Sequence, residues 1–163
     1  MSSGWILLGV IVVIALFVFG FRLRTKKPDR LAYALTLQGA GVVATLLPGT
    51  SLVLGKPFAD GRALVRAGVP VAVATDCNPG SCAFENLAMV LALACYGCKL
   101  SPAEALCAVT HNAACSLGLA HEVGRVAPGM SADLLILATP DHRDLVYHAA
   151  SPLVASVFQR GVL

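Results

Sequence analysis

The polar stretch from Asp76 to Ser81, DCNPGS, carries the side chains of this sequence best suited to chemistry. It directly follows an apolar run, residues 69–75, that is rich in β-branched residues and typical of a strand buried on both faces. In a parallel α/β sheet or barrel, catalytic groups project from the C-terminal ends of the strands. We therefore predict that Asp76 lies at such a strand end, where it can ligate a metal and accept a proton from the water that the metal acidifies.

Asn78, Gly80 and Ser81 complete this candidate site. A side-chain amide, a close backbone and a hydroxyl within one turn of the carboxylate could hold a polar substrate. The alternative is that Asp76 caps the next turn and that Asn78, Pro79 and Gly80 only reverse the chain. The spacing of these residues leaves both interpretations open.

Histidine and cysteine, the other common metal ligands, show no clear ligand spacing. The sequence has no H-x-H pair, and its four histidines all follow Asp76, so we expect structural or surface roles for them: His111, on a helix, and His121, His142 and His148. Cys95 and Cys98 form C-x-x-C, but no second pair at zinc-site spacing accompanies them, and i,i+3 on a helix places both on one side. We expect the six cysteines to be buried reduced thiols, with a redox or metal role for the C-x-x-C pair as the alternative.

Two β-strands and an intervening helix are predicted to position the candidate site. Apolar runs at 41–47, which Pro48-Gly49 closes, and at 69–75 predict the strands. Residues 56–67 have helical periodicity, and Gly68 is placed as a helix C-cap. Strand, helix, strand in this order predicts a parallel sheet.

The region after the candidate site predicts helices and then a small β region. Residues 84–100 have a helical pattern, and a second helix is predicted over 101–117, with Ser101 as N-cap, Pro102 at N1 and Glu104 at N3. Short strand-like segments follow, separated by proline-containing turns: 124–126, 132–137 and 153–158.

The N-terminal segment has a different character. Residues 5–21 carry no charge and reach the lower length limit for crossing a hydrocarbon layer of roughly 30 Å. The basic residues that follow, Arg22, Arg24, Lys26 and Lys27, predict a single-pass membrane protein with its C-terminal region in the cytoplasm. If the segment is no anchor, a buried core helix is the alternative and we expect a cytoplasmic protein. The net charge of +3 comes largely from these residues together with Arg30. The other basic residues are scattered and few aromatics accompany them, so we expect no nucleic-acid partner.

Three separated segments resemble one family of enzymes, in the family's order. Residues 47–82, LPGTSLVLGKPFADGRALVRAGVPVAVATDCNPGSC, resemble the end of the imidazolonepropionase barrel. Residues 100–119, LSPAEALCAVTHNAACSLGL, are similar to the helical segment common to amidohydrolases, and residues 124–137, GRVAPGMSADLLIL, resemble their return to a small β-sandwich. The resemblance extends over residues 31–163.

This resemblance implies a hydrolase that opens 4-imidazolone-5-propanoate to N-formimidoyl-L-glutamate in histidine degradation. It implies that Asp76 is the metal ligand and proton acceptor, that Asn78, Gly80 and Ser81 contact substrate or product, and that the metal is zinc or iron. The implied fold class is α/β: the last βα units of a TIM barrel plus part of a C-terminal β-sandwich, preceded by a transmembrane-like helix. The corresponding domains are a 1–24 hydrophobic anchor helix, a 25–30 linker, a 31–120 barrel segment and a 121–163 β-sandwich segment.

The sequence also departs from this family. Its 163 residues are fewer than the about 250 of a typical barrel, and the H-x-H ligands that the family takes from earlier strands are absent. A catalytic zinc site usually has three protein ligands, so we predict that the isolated chain does not turn over substrate. We expect association with a missing barrel half or self-association. The alternatives are a membrane-anchored, non-catalytic binding protein and a truncated fusion product.

Overall fold

The computed structural model describes residues 41–149 and 151–163. The predicted anchor at 5–21 and the linker at 25–30 lie outside the described residues. Within the part of the chain that is described, no helix combines the length and the apolar character needed to cross a membrane.

The first structural unit is a two-stranded parallel sheet with two short helices between its strands. Strand β1, Ala44–Leu46, pairs in parallel with β2, Val71–Val73. The connection contains α1, Pro48–Val53, and α2, Gly61–Arg66. The predicted strands and their parallel pairing are confirmed, although both strands are shorter than predicted.

Helices α1 and α2 differ from the sequence-based prediction for physical reasons that are visible locally. Pro48 was predicted only to close a strand, but its fixed φ also suits the first turn of a helix, where a missing N–H loses no hydrogen bond. Helix α2 begins later than the predicted 56–67 helix because Asp60 caps it: Asp60 Oδ1 accepts a hydrogen bond from the Ala63 N–H at 3.1 Å.

Helix α3, Leu87–Tyr96, follows the candidate site and begins after Asn86. The Asn86 side chain accepts a hydrogen bond from the Met89 N–H at 3.1 Å, which satisfies one of the donors that a helix start leaves unpaired. The predicted helix is therefore confirmed in its central part, and the residues after 96 form a turn.

Helix α4, Pro102–Val109, begins with the predicted capping box. Ser101 Oγ accepts a hydrogen bond from the Glu104 N–H at 3.3 Å, and Glu104 Oε2 accepts one from the Ser101 N–H at 2.7 Å. The prediction of a single helix over 101–117 is wrong. Helix α4 ends before Thr110, and a separate helix, α5, spans His111–Ser116. Thr110 Oγ1 donates to the Leu106 carbonyl at 2.7 Å, a local bond of the kind that competes with the helical backbone pattern.

The C-terminal region contains a separate two-stranded antiparallel sheet. Strand β3, Leu134–Leu137, pairs with β4, Val154–Phe158, and the short helix α6, Asp144–Tyr147, lies between them in sequence. The strand predicted at 124–126 is wrong: these residues form a loop, and Gly124 has a φ of 96°, which an extended strand does not allow.

The main core lies where the parallel sheet meets α3, α4 and α6. Its members are buried apolar side chains that include Leu46, Val71, Val73, Val90, Leu91, Ala94, Ala105 and Val146. All three residues of β2 are at most 3% exposed, and the Asn112 side chain donates to the Val71 carbonyl at 2.8 Å. The loop that carries the candidate site therefore leaves the core from a well-anchored strand.

Candidate functional site

Asp76 lies just beyond the C-terminal end of β2 and is half-buried. Its φ of 53° is in the left-handed region, which costs free energy for a residue with a Cβ and is found often at functional sites. Its Oδ2 accepts a hydrogen bond from Thr50 Oγ1 at 2.6 Å and one from Ser81 Oγ at 3.4 Å. Among the described residues no hydrogen bond reaches Oδ1, so this oxygen is the one available to a ligand.

Asn78 holds the rest of the loop in shape. Its Oδ1 accepts hydrogen bonds from the backbone N–H groups of Gly80 and Ser81, both at 2.8 Å. Its Nδ2 donates to the Asp76 carbonyl at 2.6 Å and to Ser81 Oγ at 3.0 Å, and its own N–H donates to the Cys82 carbonyl at 2.7 Å. The four predicted site residues therefore lie together in one loop. Within it, Asn78 stabilises the chain reversal through side-chain hydrogen bonds, as the alternative interpretation of these residues as a turn predicted.

Thr50, which the sequence reasoning missed, donates the shorter of the two hydrogen bonds to the Asp76 carboxylate. It lies in the first turn of α1, just beyond the C-terminal end of β1, while Asp76 lies just beyond the end of β2. The Pro-Gly-Thr sequence after the apolar run could have signalled this, since side chains that follow neighbouring parallel strands meet at the same edge of a sheet.

Gly49 allows α1 to approach the loop closely. A Cβ at this position would lie 2.9 Å from Cys82 Sγ and 3.0 Å from Phe84 Cδ2, nearer than side chains tolerate. The absence of a side chain at Gly49 therefore lets Thr50 reach the Asp76 carboxylate.

Metal ligands do not converge on Asp76 within residues 41–149 and 151–163. No group of three histidine, cysteine, aspartate or glutamate side chains in this part of the chain could hold a metal ion. His111 begins α5, as predicted on a helix, with its Nε2 3.7 Å from Cys115 Sγ, and its buried Nδ1 has no hydrogen-bond partner among the described residues. Because a catalytic zinc usually takes three protein ligands, these residues by themselves do not fit a catalytic metal.

The six cysteines are free thiols, as predicted, but only some are buried. Cys82 and Cys98 are buried, whereas Cys77 and Cys107 are exposed, so the expectation of general burial is wrong for these two. Burial raises the pKa of both Cys95 and Cys98 to about 11. Since the thiolate is the form that binds metals and attacks disulfides, this C-x-x-C pair is poorly suited to either task at neutral pH.

A polar site at the ends of parallel strands, followed by helices and a small antiparallel sheet, is the arrangement expected for part of an α/β enzyme. The family model described as "Amidohydrolase family" matches residues 23–163, and this chain belongs to that family. Among curated proteins, the chain is similar to the imidazolonepropionases of Rubrobacter xylanophilus, at 50% identity over 124 residues, and Parabacteroides distasonis, at 44% over 127 residues. The predicted resemblance to imidazolonepropionases is confirmed.

These matches cover most of this chain but a smaller part of each relative. They include 76% and 78% of this chain and 30% of each of the two imidazolonepropionases, so the chain spans less than a third of their length.

The fold of this chain is also similar to parts of solved structures. An adenosine deaminase from Xanthomonas campestris with bound zinc matches 80% of this chain and 34% of its own, with 24% identity and a TM-score of 0.71. An atrazine chlorohydrolase from Arthrobacter aurescens complexed with zinc matches 83% and 33%, with 24% identity and a TM-score of 0.70.

Proposed function

We propose that this chain forms a C-terminal part of an imidazolonepropionase-type hydrolase, which hydrolyses the cyclic amide C–N bond of 4-imidazolone-5-propanoate to N-formimidoyl-L-glutamate. The observation that carries the proposal is the position of Asp76 at the end of a buried parallel strand, with one carboxylate oxygen engaged by Thr50 and Ser81. Similarity to imidazolonepropionases over more than three-quarters of the chain supports the choice of substrate.

The roles of individual residues follow from the same proposal. Asp76 is the single metal ligand and proton acceptor that this chain contributes, and Asn78, Gly80 and Ser81 contact the substrate. The metal is zinc or iron, a choice supported on the zinc side by the solved relatives whose names include that metal. Residues 31–120 are then the last βα units of a TIM barrel and residues 121–163 a β-sandwich segment, with further strands needed to complete both.

The isolated chain is expected to be inactive, because its described residues do not supply three ligands for a metal. The test is to purify the full chain and measure its metal content and its hydrolysis of 4-imidazolone-5-propanoate. We expect no stoichiometric metal and no N-formimidoyl-L-glutamate. Stoichiometric metal together with turnover would contradict the expected inactivity.

The proposed role of Asp76 in hydrolysis is tested by combining this chain with the rest of a related enzyme. The chain is co-expressed with the part of the Rubrobacter xylanophilus imidazolonepropionase that lies outside its 124-residue match, and hydrolysis is measured in the presence of zinc or iron. We expect activity that Asp76→Asn abolishes. Asp141→Asn, which alters a carboxylate paired with Arg143 between β3 and α6, is the matched control and should retain activity. Equal activity of the two variants would rule out the role of Asp76.

The location of the chain is tested separately from its chemistry. We propose that residues 41–163 are cytoplasmic, which is expected both with residues 5–21 as an anchor and without one. Carbonate extraction of membranes from expressing cells distinguishes the two cases, since only a spanning segment keeps the protein in the pellet. Release into the supernatant would exclude a spanning segment at 5–21.

A further inference from the structure

Thr50 donates a hydrogen bond to Asp76 from a separate element of the fold. The distance from Thr50 Oγ1 to Asp76 Oδ2 is 2.6 Å, within the range typical of a hydroxyl that donates to a carboxylate. Charge-assisted bonds of this kind are roughly twice as strong as hydrogen bonds between neutral groups. The Thr50 hydroxyl is therefore well suited to hold this carboxylate in place.

The second hydroxyl near the carboxylate, that of Ser81, is the weaker partner. Ser81 Oγ lies 3.4 Å from Asp76 Oδ2, beyond the usual range for hydrogen bonds between oxygen atoms, and 3.2 Å from Asn78 Oδ1. A hydroxyl has one hydrogen, so Ser81 donates to one of these two acceptors at a time. Among the described residues, Thr50 is therefore the main side-chain donor to Asp76.

Thr50 lies on a more rigid element than Asp76 does. It is in the first turn of α1, directly after β1, and the two residues before it in that turn, Pro48 and Gly49, are buried. Asp76 lies in a loop, and rotation about the bond to an aspartate carboxylate has only broad energy minima. Side chains on helices are held more precisely than side chains on loops. The bond from Thr50 therefore narrows the range of orientations that the carboxylate adopts.

We propose that Thr50 is a positioning residue for the reaction: its hydroxyl engages Oδ2 and holds the Asp76 carboxylate so that Oδ1 is available to the chemistry. The inference rests on the proposed function for the reaction and for the role of Asp76. A small misplacement of a reacting group costs on the order of a hundredfold in rate, so loss of this bond should slow the chemical step. Substrate binding should change little, because the residues proposed to contact the substrate are Asn78, Gly80 and Ser81.

The kinetic test uses this chain combined with the rest of the Rubrobacter xylanophilus imidazolonepropionase, in the presence of zinc or iron. Thr50→Val keeps the shape of the side chain but removes the donor. We expect kcat for 4-imidazolone-5-propanoate to fall by about tenfold or more while KM stays within about threefold of wild type. Thr50→Ser retains the hydroxyl and is expected to recover most of the loss in kcat.

Thr110→Val is the matched control for the loss of a threonine hydroxyl. It removes a donor that bonds to the Leu106 carbonyl at 2.7 Å, between α4 and α5. Circular dichroism checks that each variant is folded, and we expect this control to keep kcat within about twofold of wild type. An equal fall in kcat for Thr50→Val and Thr110→Val would overturn the proposal, and so would an equal fall for Thr50→Val and Thr50→Ser.

Hydrogen exchange in the full chain alone tests whether Thr50 holds the loop. The N–H groups of Gly80 and Ser81 donate to Asn78 Oδ1 within the loop that also contains Asp76. We expect Thr50→Val to speed exchange of these two amides by about threefold or more, because the loop then opens more readily, and Thr50→Ser to exchange close to wild type. Unchanged exchange in Thr50→Val would overturn the proposal.

These experiments separate the inference from the proposed function. Hydrolysis by the wild-type combination together with an undiminished kcat for Thr50→Val would overturn the role of Thr50 and leave the proposed function standing. Absence of hydrolysis by a folded wild-type combination would contradict the proposed function, and the exchange rates would then decide by themselves whether Thr50 holds the loop.

Discussion

Asp76 combines an unfavourable backbone conformation with favourable side-chain hydrogen bonds. Its left-handed φ costs about 1 kcal/mol or more, and the bond from Thr50, at 2.6 Å, offsets part of that cost. These partners engage only Oδ2, so Oδ1 carries no hydrogen bond among the described residues. Under the proposed function, Oδ1 is the oxygen of Asp76 that would bind the metal.

Replacing Thr50 tests the hydrogen bond directly. Thr50→Val keeps the shape of the side chain but removes the donor, and we expect the free energy of unfolding to fall by about 1–2 kcal/mol. Thr50→Ser retains the hydroxyl and is expected to lose much less. Urea unfolding followed by circular dichroism provides the measurement, and a serine variant as unstable as the valine variant would argue against the bond.

Replacing Gly49 tests the close approach of α1 to the loop. Gly49→Ala places a Cβ 2.9 Å from Cys82 Sγ, and we expect a loss of about 1–3 kcal/mol from this overpacking. The double variant Gly49→Ala with Cys82→Ala removes the nearest obstructing atom and should recover part of the loss. Urea midpoints of the two variants and of Cys82→Ala alone measure this coupling, and strictly additive effects would contradict the packing argument.

Among the helices, the best-defined link is the ion pair between α2 and the start of α4. Arg62 donates to both carboxylate oxygens of Glu104, at 2.7 and 2.5 Å, and its Nε donates to the Lys99 carbonyl at 3.1 Å. Glu104 also accepts from Ser101, so one carboxylate joins α2 to the capping box of α4. Helix α2 leads into β2, and this link therefore supports the strand that carries the candidate site.

The ion pair predicts a pH dependence of stability. Hydrogen bonds from Arg62, and then from the Ser101 backbone, lower the pKa of Glu104 from 4.5 to about 2. A carboxyl group whose pKa is lowered by folding stabilises the protein above its unfolded pKa and loses that contribution as the pH falls to its folded pKa. We therefore expect Glu104→Gln to destabilise the chain at pH 7, by up to about 1 kcal/mol after solvent screening, and the difference from wild type to shrink between pH 4.5 and about 2.

Urea unfolding at a series of pH values measures this effect. Glu122→Gln, which removes an exposed carboxylate away from Arg62, is the control and should leave the acid dependence close to that of wild type. A Glu104→Gln variant whose deficit persists unchanged at pH 2 would contradict the proposed cause.

The helix cap at Ser101 gives a further prediction for α4. Ser101→Ala removes the hydroxyl that accepts from the Glu104 N–H, and we expect a loss of about 1 kcal/mol in the free energy of unfolding. Ser101→Asp, which can still cap the helix, should retain most of the stability. Thermal and urea unfolding of both variants measure the effect, and equal losses would show that the cap contributes little.

The two sheets of the molecule differ in how far their apolar side chains are buried. The residues of β2 are at most 3% exposed, whereas Leu135 in β3 and Val157 in β4 are more than half exposed. Local opening of a structure requires less free energy where few apolar contacts must be broken. The two sheets of this chain are therefore expected to differ in stability.

Hydrogen exchange measures this difference within a single sample. We expect the paired amides of β3 and β4 to exchange faster than those of β2 in the chain alone, since β2 is anchored by the core and the antiparallel sheet is not. Equal protection of the two sheets in the chain alone would contradict this view of the molecule.

Much of the fold could be predicted because its signals are local. The apolar run before Asp76, the capping box at Ser101 and the turn residues around Asn78 each specify hydrogen bonds within a few positions along the chain, and the structure contains them. The prediction was wrong where a local pattern allowed more than one outcome. Pro48 suits the end of a strand and the start of a helix equally, and a helical pattern continues through Thr110 although the helix does not.

The sequence by itself determined the strand–helix–strand order before the candidate site, the parallel pairing of β1 and β2, the strand-end position of Asp76 and the resemblance to imidazolonepropionases. Only the tertiary structure decided that Thr50 contacts Asp76 from 26 residues away, that Gly49 makes room for this contact, and that apolar side chains of β3 and β4 are exposed within the described part of the chain. The physical reason is that periodicity and capping depend on neighbours along the chain. A hydrogen bond between two strand ends depends instead on how separate elements pack.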